Sequence, residues 1–124
     1  MRLALVARAA ALAFVCVVLT GCSSNNKGKI EGTRWVSISQ MVKGQMLAEG
    51  VGGLDFRVDG TLTYKAGPNT LTGKYGLGSG DRVTLYLDQP LAGSKKHVET
   101  VKINGNELEM IDADGTSVRF KKVN

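Results

Sequence analysis

Cysteine is nearly missing from this 124-residue chain: there are two, Cys16 and Cys22, and none follows residue 22. A disulfide framework is thereby excluded from the body of the protein. Histidine is scarcer still. The single His97 cannot assemble a zinc site, which draws on several His and Cys ligands, so no metal is expected. Nor does the spacing pair His97 with a nucleophile or carboxylate, so it reads as a surface histidine on a strand, and no catalytic residue is expected. One Trp, three Tyr and three Phe are few, and no basic stripe is interleaved with them, which argues against nucleic-acid binding. Lys and Arg outnumber Asp and Glu by 16 to 11, but only Lys95-Lys96-His97 and Lys121-Lys122 are dense, as solvated strand faces are.

What the chain does have begins at its N-terminus. Arg2 and Arg8 precede an uncharged apolar run from Ala9 to Leu19 that closes on small residues, the three-part layout of a secretory signal. As a helix the run would span about 17 Å against a hydrocarbon core of about 30 Å. Lengthening it towards Leu3 would bury Arg8, at a cost of a few kcal/mol. Residues 1–21 are therefore expected to be a removable leader. Without Arg2 and Arg8 the formal charge falls from +5 to +3, and residues 22–124 are enough for one domain.

From Ile30 onward the pattern has period two, broken about every ten residues by glycine-containing turns, the rhythm of an antiparallel sheet. Arg34 to Ser39 is the expected first strand. Leu54, Phe56 and Val58 alternate with polar residues, Asp59-Gly60 turns the chain, and Leu62 and Tyr64 resume the apolar face. Tyr75 and Leu77 lead into the turn Gly78-Ser79-Gly80-Asp81, after which Val83, Leu85 and Leu87 alternate with charged and polar residues. Pro90 to Gly93 breaks the pattern, His97 to Ile103 is strand-like, and Asn104-Gly105 turns into Glu107–Ile111, with Leu108 and Met110 inward. Asp114-Gly115 makes the last turn, before Val118 and Phe120. Gln40 to Gly50 fits neither period and reads as a short helix or a ragged strand. Seven or eight strands joined by short turns pair with their sequence neighbours and close to hide their edges. The expected fold is all-β: an up-and-down antiparallel meander forming a small barrel or strongly curled sheet.

Two resemblances add to this. Leu19-Thr20-Gly21-Cys22, placed at the end of the apolar run, resembles the bacterial lipobox, which implies a lipid-modified Cys22 as the mature N-terminus. Ser23 in place of Asp then implies sorting to the outer membrane, at its periplasmic face. Acyl chains contribute about 0.8 kcal/mol per buried methylene, and more than one gives stable anchoring. Residues 22–29, with Ser23 to Gly28 offering nothing apolar to bury, read as lipidated cysteine and flexible tether; 30–124 read as the domain. Across that domain, Gly32-Thr33-Arg34-Trp35, Phe56-Arg57-Val58-Asp59-Gly60-Thr61-Leu62-Thr63, Gly73-Lys74-Tyr75 and Leu108 to Gly115 with Phe120 are similar to the small lipocalin-like bacterial lipoproteins. Lipocalins carry Gly-x-Trp where this chain has Gly-x-x-Trp. The resemblance implies a scaffold with Trp35 plugging one barrel end, more than any activity.

No other motif selects a chemistry. Asp112-x-Asp114-Gly115 lacks the remaining ligands of a calcium loop and reads as a turn. Gly76 to Gly80 precedes a strand and not a helix, so it offers no phosphate cradle. The carboxylates are expected on outward faces or in turns, hydrated and unshifted. Candidate pocket or core residues are Trp35, Phe56, Leu62, Tyr64, Tyr75, Leu85, Leu87, Met110 and Phe120. The functional expectation is a membrane-anchored, non-catalytic binding module without a cofactor, for an apolar ligand, a peptide or an envelope protein. The alternative is a structural or interaction lipoprotein whose barrel is filled by its own side chains, as eight short strands permit.

Overall fold

The computed structural model describes residues 23–124; the leader read over 1–21 and the acceptor Cys22 lie outside the described residues. Ten strands follow one another: β1 (Thr33–Ser37), β2 (Gln40–Val42), β3 (Gln45–Leu47), β4 (Gly52–Phe56), β5 (Thr61–Ala66), β6 (Asn69–Leu77), β7 (Arg82–Leu91), β8 (Ser94–Asn104), β9 (Glu107–Ile111) and β10 (Ser117–Val123). Eight of them close into an antiparallel up-and-down barrel in the order β1-β10-β9-β8-β7-β6-β5-β4, and β2-β3 form a separate two-stranded sheet. Closure comes from β1, which pairs with β10 on one side and with β4 on the other, Trp35 lying opposite both Lys122 and Leu54. Among the described residues the main sheet therefore keeps no open edge.

Alternation does what the sequence promised over most of the wall. Trp35, Leu54, Phe56, Leu62, Val83, Leu85, Leu87, Val101, Leu108, Met110 and Phe120 point into a shared interior and are buried. Val58 departs from its expected place: β4 ends at Phe56, and Val58 lies in the β4–β5 turn, 79% exposed. The first strand is also shorter than expected, ending at Ser37. The buried Ser37 hydroxyl accepts a hydrogen bond from the Gly52 amide at 2.9 Å, joining β1 to β4 just where the chain leaves for β2.

That excursion is the segment expected to be a helix or ragged strand, and it is a hairpin. Gln40 pairs with Leu47 and Val42 with Gln45 across a two-residue turn at Lys43-Gly44. Both turn residues have positive φ, as a type I′ turn demands. Gln40 fastens the hairpin to the barrel. Its amide accepts from the Arg119 backbone N–H at 2.9 Å and donates to the Arg119 carbonyl at 2.8 Å, copying what a neighbouring strand's peptide group would do.

The two ends of the barrel differ. One carries the β4–β5, β6–β7 and β8–β9 turns and is closed by residues 24–32. The tether expected over Ser23 to Gly28 is, from Ser24, folded onto this end. Polar groups rather than apolar ones hold it, which hydrophobic patterning does not register. Asn25 donates its backbone N–H to the Gly80 carbonyl at 2.8 Å, and Asn26, 2% exposed, donates its side-chain amide to the Val101 carbonyl at 3.1 Å. Ile30 is fully buried beside them. The Trp35 indole donates to the Thr33 hydroxyl at 2.8 Å, and that hydroxyl donates to the Ile30 carbonyl, so Trp35 helps to seal this end.

The opposite end carries the β5–β6, β7–β8 and β9–β10 turns with the β2–β3 hairpin, and it is splayed. At Gly73 the strand β6 crosses so close to β7 that a Cβ would stand 2.1 Å from the Tyr86 carbonyl oxygen. Pairing of β6 with β7 stops at Gly73–Leu87, and the β7–β8 register slips between Tyr86 and Leu91. Pro90, expected to break the pattern, sits within this extension of β7, and the turn itself is Ala92-Gly93.

Candidate functional site

The parity of β8 is fixed by Val101 and Ile103, which face the interior. Two residues back along an extended strand the side chain returns to the same face, so Glu99 and His97 must face inward as well. Glu99 is 7% exposed, and its Oε2 is buried with no hydrogen-bond partner among the described residues. This corrects the expectation that the carboxylates stand on outward faces or in turns, hydrated and unshifted. His97 is on a strand and partly exposed, as expected, with its Nε2 2.8 Å from the Ser94 carbonyl.

Around Glu99 the open end forms a cavity of about 150 Å³. Its lining includes the polar Glu99, His97, Tyr64, Asp112 and Thr116 and the apolar Leu91, Met110 and Val118. The cavity has a side entrance. Pairing of β8 with β9 begins only at Thr100–Ile111, so the first residues of β8 stand away from the β9–β10 turn. Lys96, His97 and Glu99 on one side and Asp112 and Asp114 on the other line a cleft of about 270 Å³ there.

The electrostatics follow from this geometry. Burial raises the pKa of the Glu99 carboxyl above its ordinary range, the nearby Asp112 raises it further, and His97 pulls the other way. The Tyr64 phenol is raised by burial first and by the charges of Glu99 and Asp112 next. Asp114, in contrast, is held well below the usual carboxylate range by hydrogen bonding with Asp112 and Thr116 and, at 3.2 Å, by Lys43. Lys43 belongs to the β2–β3 turn, so the hairpin braces the turn that forms one lip of the cavity.

The residues proposed from sequence as pocket or core are thus divided. Trp35, Phe56, Leu62, Leu85, Leu87 and Phe120 are packed core. Tyr75 is half-buried; its ring meets Phe56 edge-on at 5.1 Å between centroids, and its hydroxyl donates to the Arg57 carbonyl at 2.7 Å. Only Tyr64 and Met110 border the open-end cavity. Glu99, His97 and Asp112 were not among the candidates, although the alternation of Val101 and Ile103 was signal enough to place the first two. Beside this end Met41 and Met46, opposite each other in the hairpin, are 60% and 65% exposed.

Among the described residues no group of three or more His, Cys, Asp or Glu side chains comes together in a way that could hold a metal ion. Asp112 and Asp114 instead organise their turn: the Asp112 carboxylate accepts from the Thr116 and Asp114 amides at 2.9 and 3.1 Å. Compared with known proteins, the chain matches no protein-family model, no curated protein and no solved structure.

Proposed function

We propose that this chain is a lipid-anchored protein of the bacterial cell envelope, held through Cys22 at the periplasmic face of the outer membrane. Its lipocalin-like barrel is a non-catalytic binding module that engages a partner at the open end and not in an enclosed apolar pocket. One observation carries the second part. From Trp35 and Phe56 through Leu62, Leu85 and Leu108 to Phe120 the interior is packed, and the cavity that reaches in between Tyr64, Glu99 and Met110 is about 150 Å³. Pockets that enclose small organic ligands are typically about 300–1,000 Å³. The anchor reading rests on the leader and lipobox-like tetrapeptide, and the fold agrees with it sterically: residues 24–32 lie at the closed end, leaving the open end on the opposite side.

Both parts are testable on the full chain. Expressed in a bacterial envelope, it should incorporate labelled fatty acid and sediment with membranes, and Cys22→Ser should lose both properties. An unmodified thiol on the membrane-bound protein would refute the anchor. A fluorescent fatty-acyl probe titrated into the purified chain should show no saturable binding. Saturation that Leu62→Trp abolishes would mean an apolar pocket and overturn the filled-barrel reading.

A further inference from the structure

We infer that the open-end cavity is a receptor for a primary ammonium group carried on a short aliphatic stem, with Glu99 as its counter-charge. The inference rests on the proposal that partners engage this end, and it names what they present there. Three features of the cavity lead to it.

The first is an unmet valence. Glu99 is buried, yet its Oε2 receives no hydrogen bond from the described residues, although buried polar atoms are in the great majority paired. A carboxylate so placed only accepts, so what completes it must donate, and a donor with positive charge gains most where water is scarce. The second is the company Glu99 keeps. Asp112 lines the same cavity and adds negative charge, and the Tyr64 ring and the His97 side chain stand beside it. Lys96 is the cation at the cleft and Asp114 the further carboxylate; among the described residues no lysine or arginine lines the cavity itself. The third is shape. Leu91, Met110 and Val118 line the same cavity and supply apolar surface suited to methylene groups. A volume of about 150 Å³ is that of a cavity able to hold a six-carbon ring, close to what an alkylammonium of four or five heavy atoms fills.

A bare metal ion fits less well, because three ligating side chains do not converge among the described residues and half of the wall is apolar. The ammonium could belong to a free amine or to a lysine side chain of a partner protein; the cavity chemistry is the same for both.

The test uses the full chain in detergent micelles, followed by amide NMR. Titration with n-butylammonium chloride should give saturable shifts centred on Tyr64, His97, Met110 and Thr116, and n-butanol and calcium chloride should not reproduce them. Glu99→Gln, shown to be folded by its spectrum, should weaken binding by at least about tenfold, since a buried charge without its counter-ion is strongly disfavoured. Glu99→Asp, which keeps the charge one methylene back, should weaken it less. A peptide with blocked termini and one internal lysine is the second arm. Binding at least as tight as butylammonium assigns the ammonium to a protein side chain; exclusion of the peptide with retention of butylammonium assigns it to a free amine. Absence of saturable shifts in both arms, equal shifts with butanol or calcium chloride, or an affinity unchanged in Glu99→Gln overturns the inference. Those results leave the filled-barrel reading standing, which falls only to the acyl-probe titration.

Discussion

Glu99→Gln in the unliganded protein should raise stability at neutral pH, an unusual outcome for substitution of a buried residue. In the unfolded chain the carboxylate is hydrated. In the barrel its Oε2 is buried and receives no hydrogen bond from the described residues, and Asp112 repels it. A buried unsatisfied polar group costs about 1–3 kcal/mol, more when charged, and the glutamine amide retains part of that cost. The net gain at pH 7 should therefore be about 1–2 kcal/mol. Because the folded-state pKa is raised, the folded protein holds this proton more tightly than the unfolded chain does. The stability that Glu99 contributes is thus fully present below the ordinary Glu value of about 4.3 and is lost as pH rises through the folded value. Calorimetric melting of wild type and variant side by side should show a Tm about 4–8 °C higher per kcal/mol at pH 7 for a domain of this size. The difference should shrink towards zero near pH 4. A variant that melts lower at pH 7, or one whose advantage is the same at both pH values, would refute the reasoning, because either result means that the buried charge is not what costs stability in the folded state.

Three other substitutions probe the framework. Gly73→Ala must push a methyl against the Tyr86 carbonyl, a rigid backbone atom. It should destabilise by about 3 kcal/mol or more in chemical denaturation, and a loss under about 1 kcal/mol would mean that the strand crossing is looser. Gln40→Ala strands the Arg119 amide. The cost should be about 1–2 kcal/mol, with faster hydrogen exchange across residues 40–47, which an unchanged exchange pattern would contradict. Asn26→Ala removes the donor to Val101. It should cost about 1–2 kcal/mol while exposing residues 24–32 to limited proteolysis; persistent protection would show that Ile30 and the Asn25 contacts suffice to hold the segment.

How much of this was legible in the sequence depends on what each element uses to hold itself in place. Where an apolar residue recurs at every second position next to Asp-Gly or Gly-rich turns, as at Leu54 and Phe56, at Leu62 and Tyr64 and from Val83 to Leu87, pattern and structure coincide, because burial of those side chains sets the register. The β2–β3 hairpin was opaque. Its strands are three residues long, its methionines are exposed, and its turn is Lys-Gly rather than Asn-Gly, with a glutamine side chain supplying the attachment. The closing segment failed for a related reason: Asn25 and Asn26 bind backbone groups of residues more than fifty positions away, and composition does not encode such bonds. Glu99 was a different kind of miss. Its orientation followed from Val101 and Ile103, but charge suggested the outside, and parity prevailed over charge because a strand cannot turn one side chain without turning its neighbours.

The pinning of Asn25 and Asn26 to the β6–β7 turn also sets a height. With the chain pinned at Asn25 and Asn26, a lipid at Cys22 would leave little slack between bilayer and barrel, too little for the domain to swing freely. A strand as long as β8, Ser94–Asn104, runs from one end of the barrel to the other. Glu99 lies midway along it, five residues before Asn104, which with the tilt of barrel strands is roughly 13 Å along the axis from the closed end. Glu99 would then be held at a nearly constant distance from the membrane, in a cavity that opens at the barrel end facing away from it. Selection of a partner would begin with that clearance, before any contact is made.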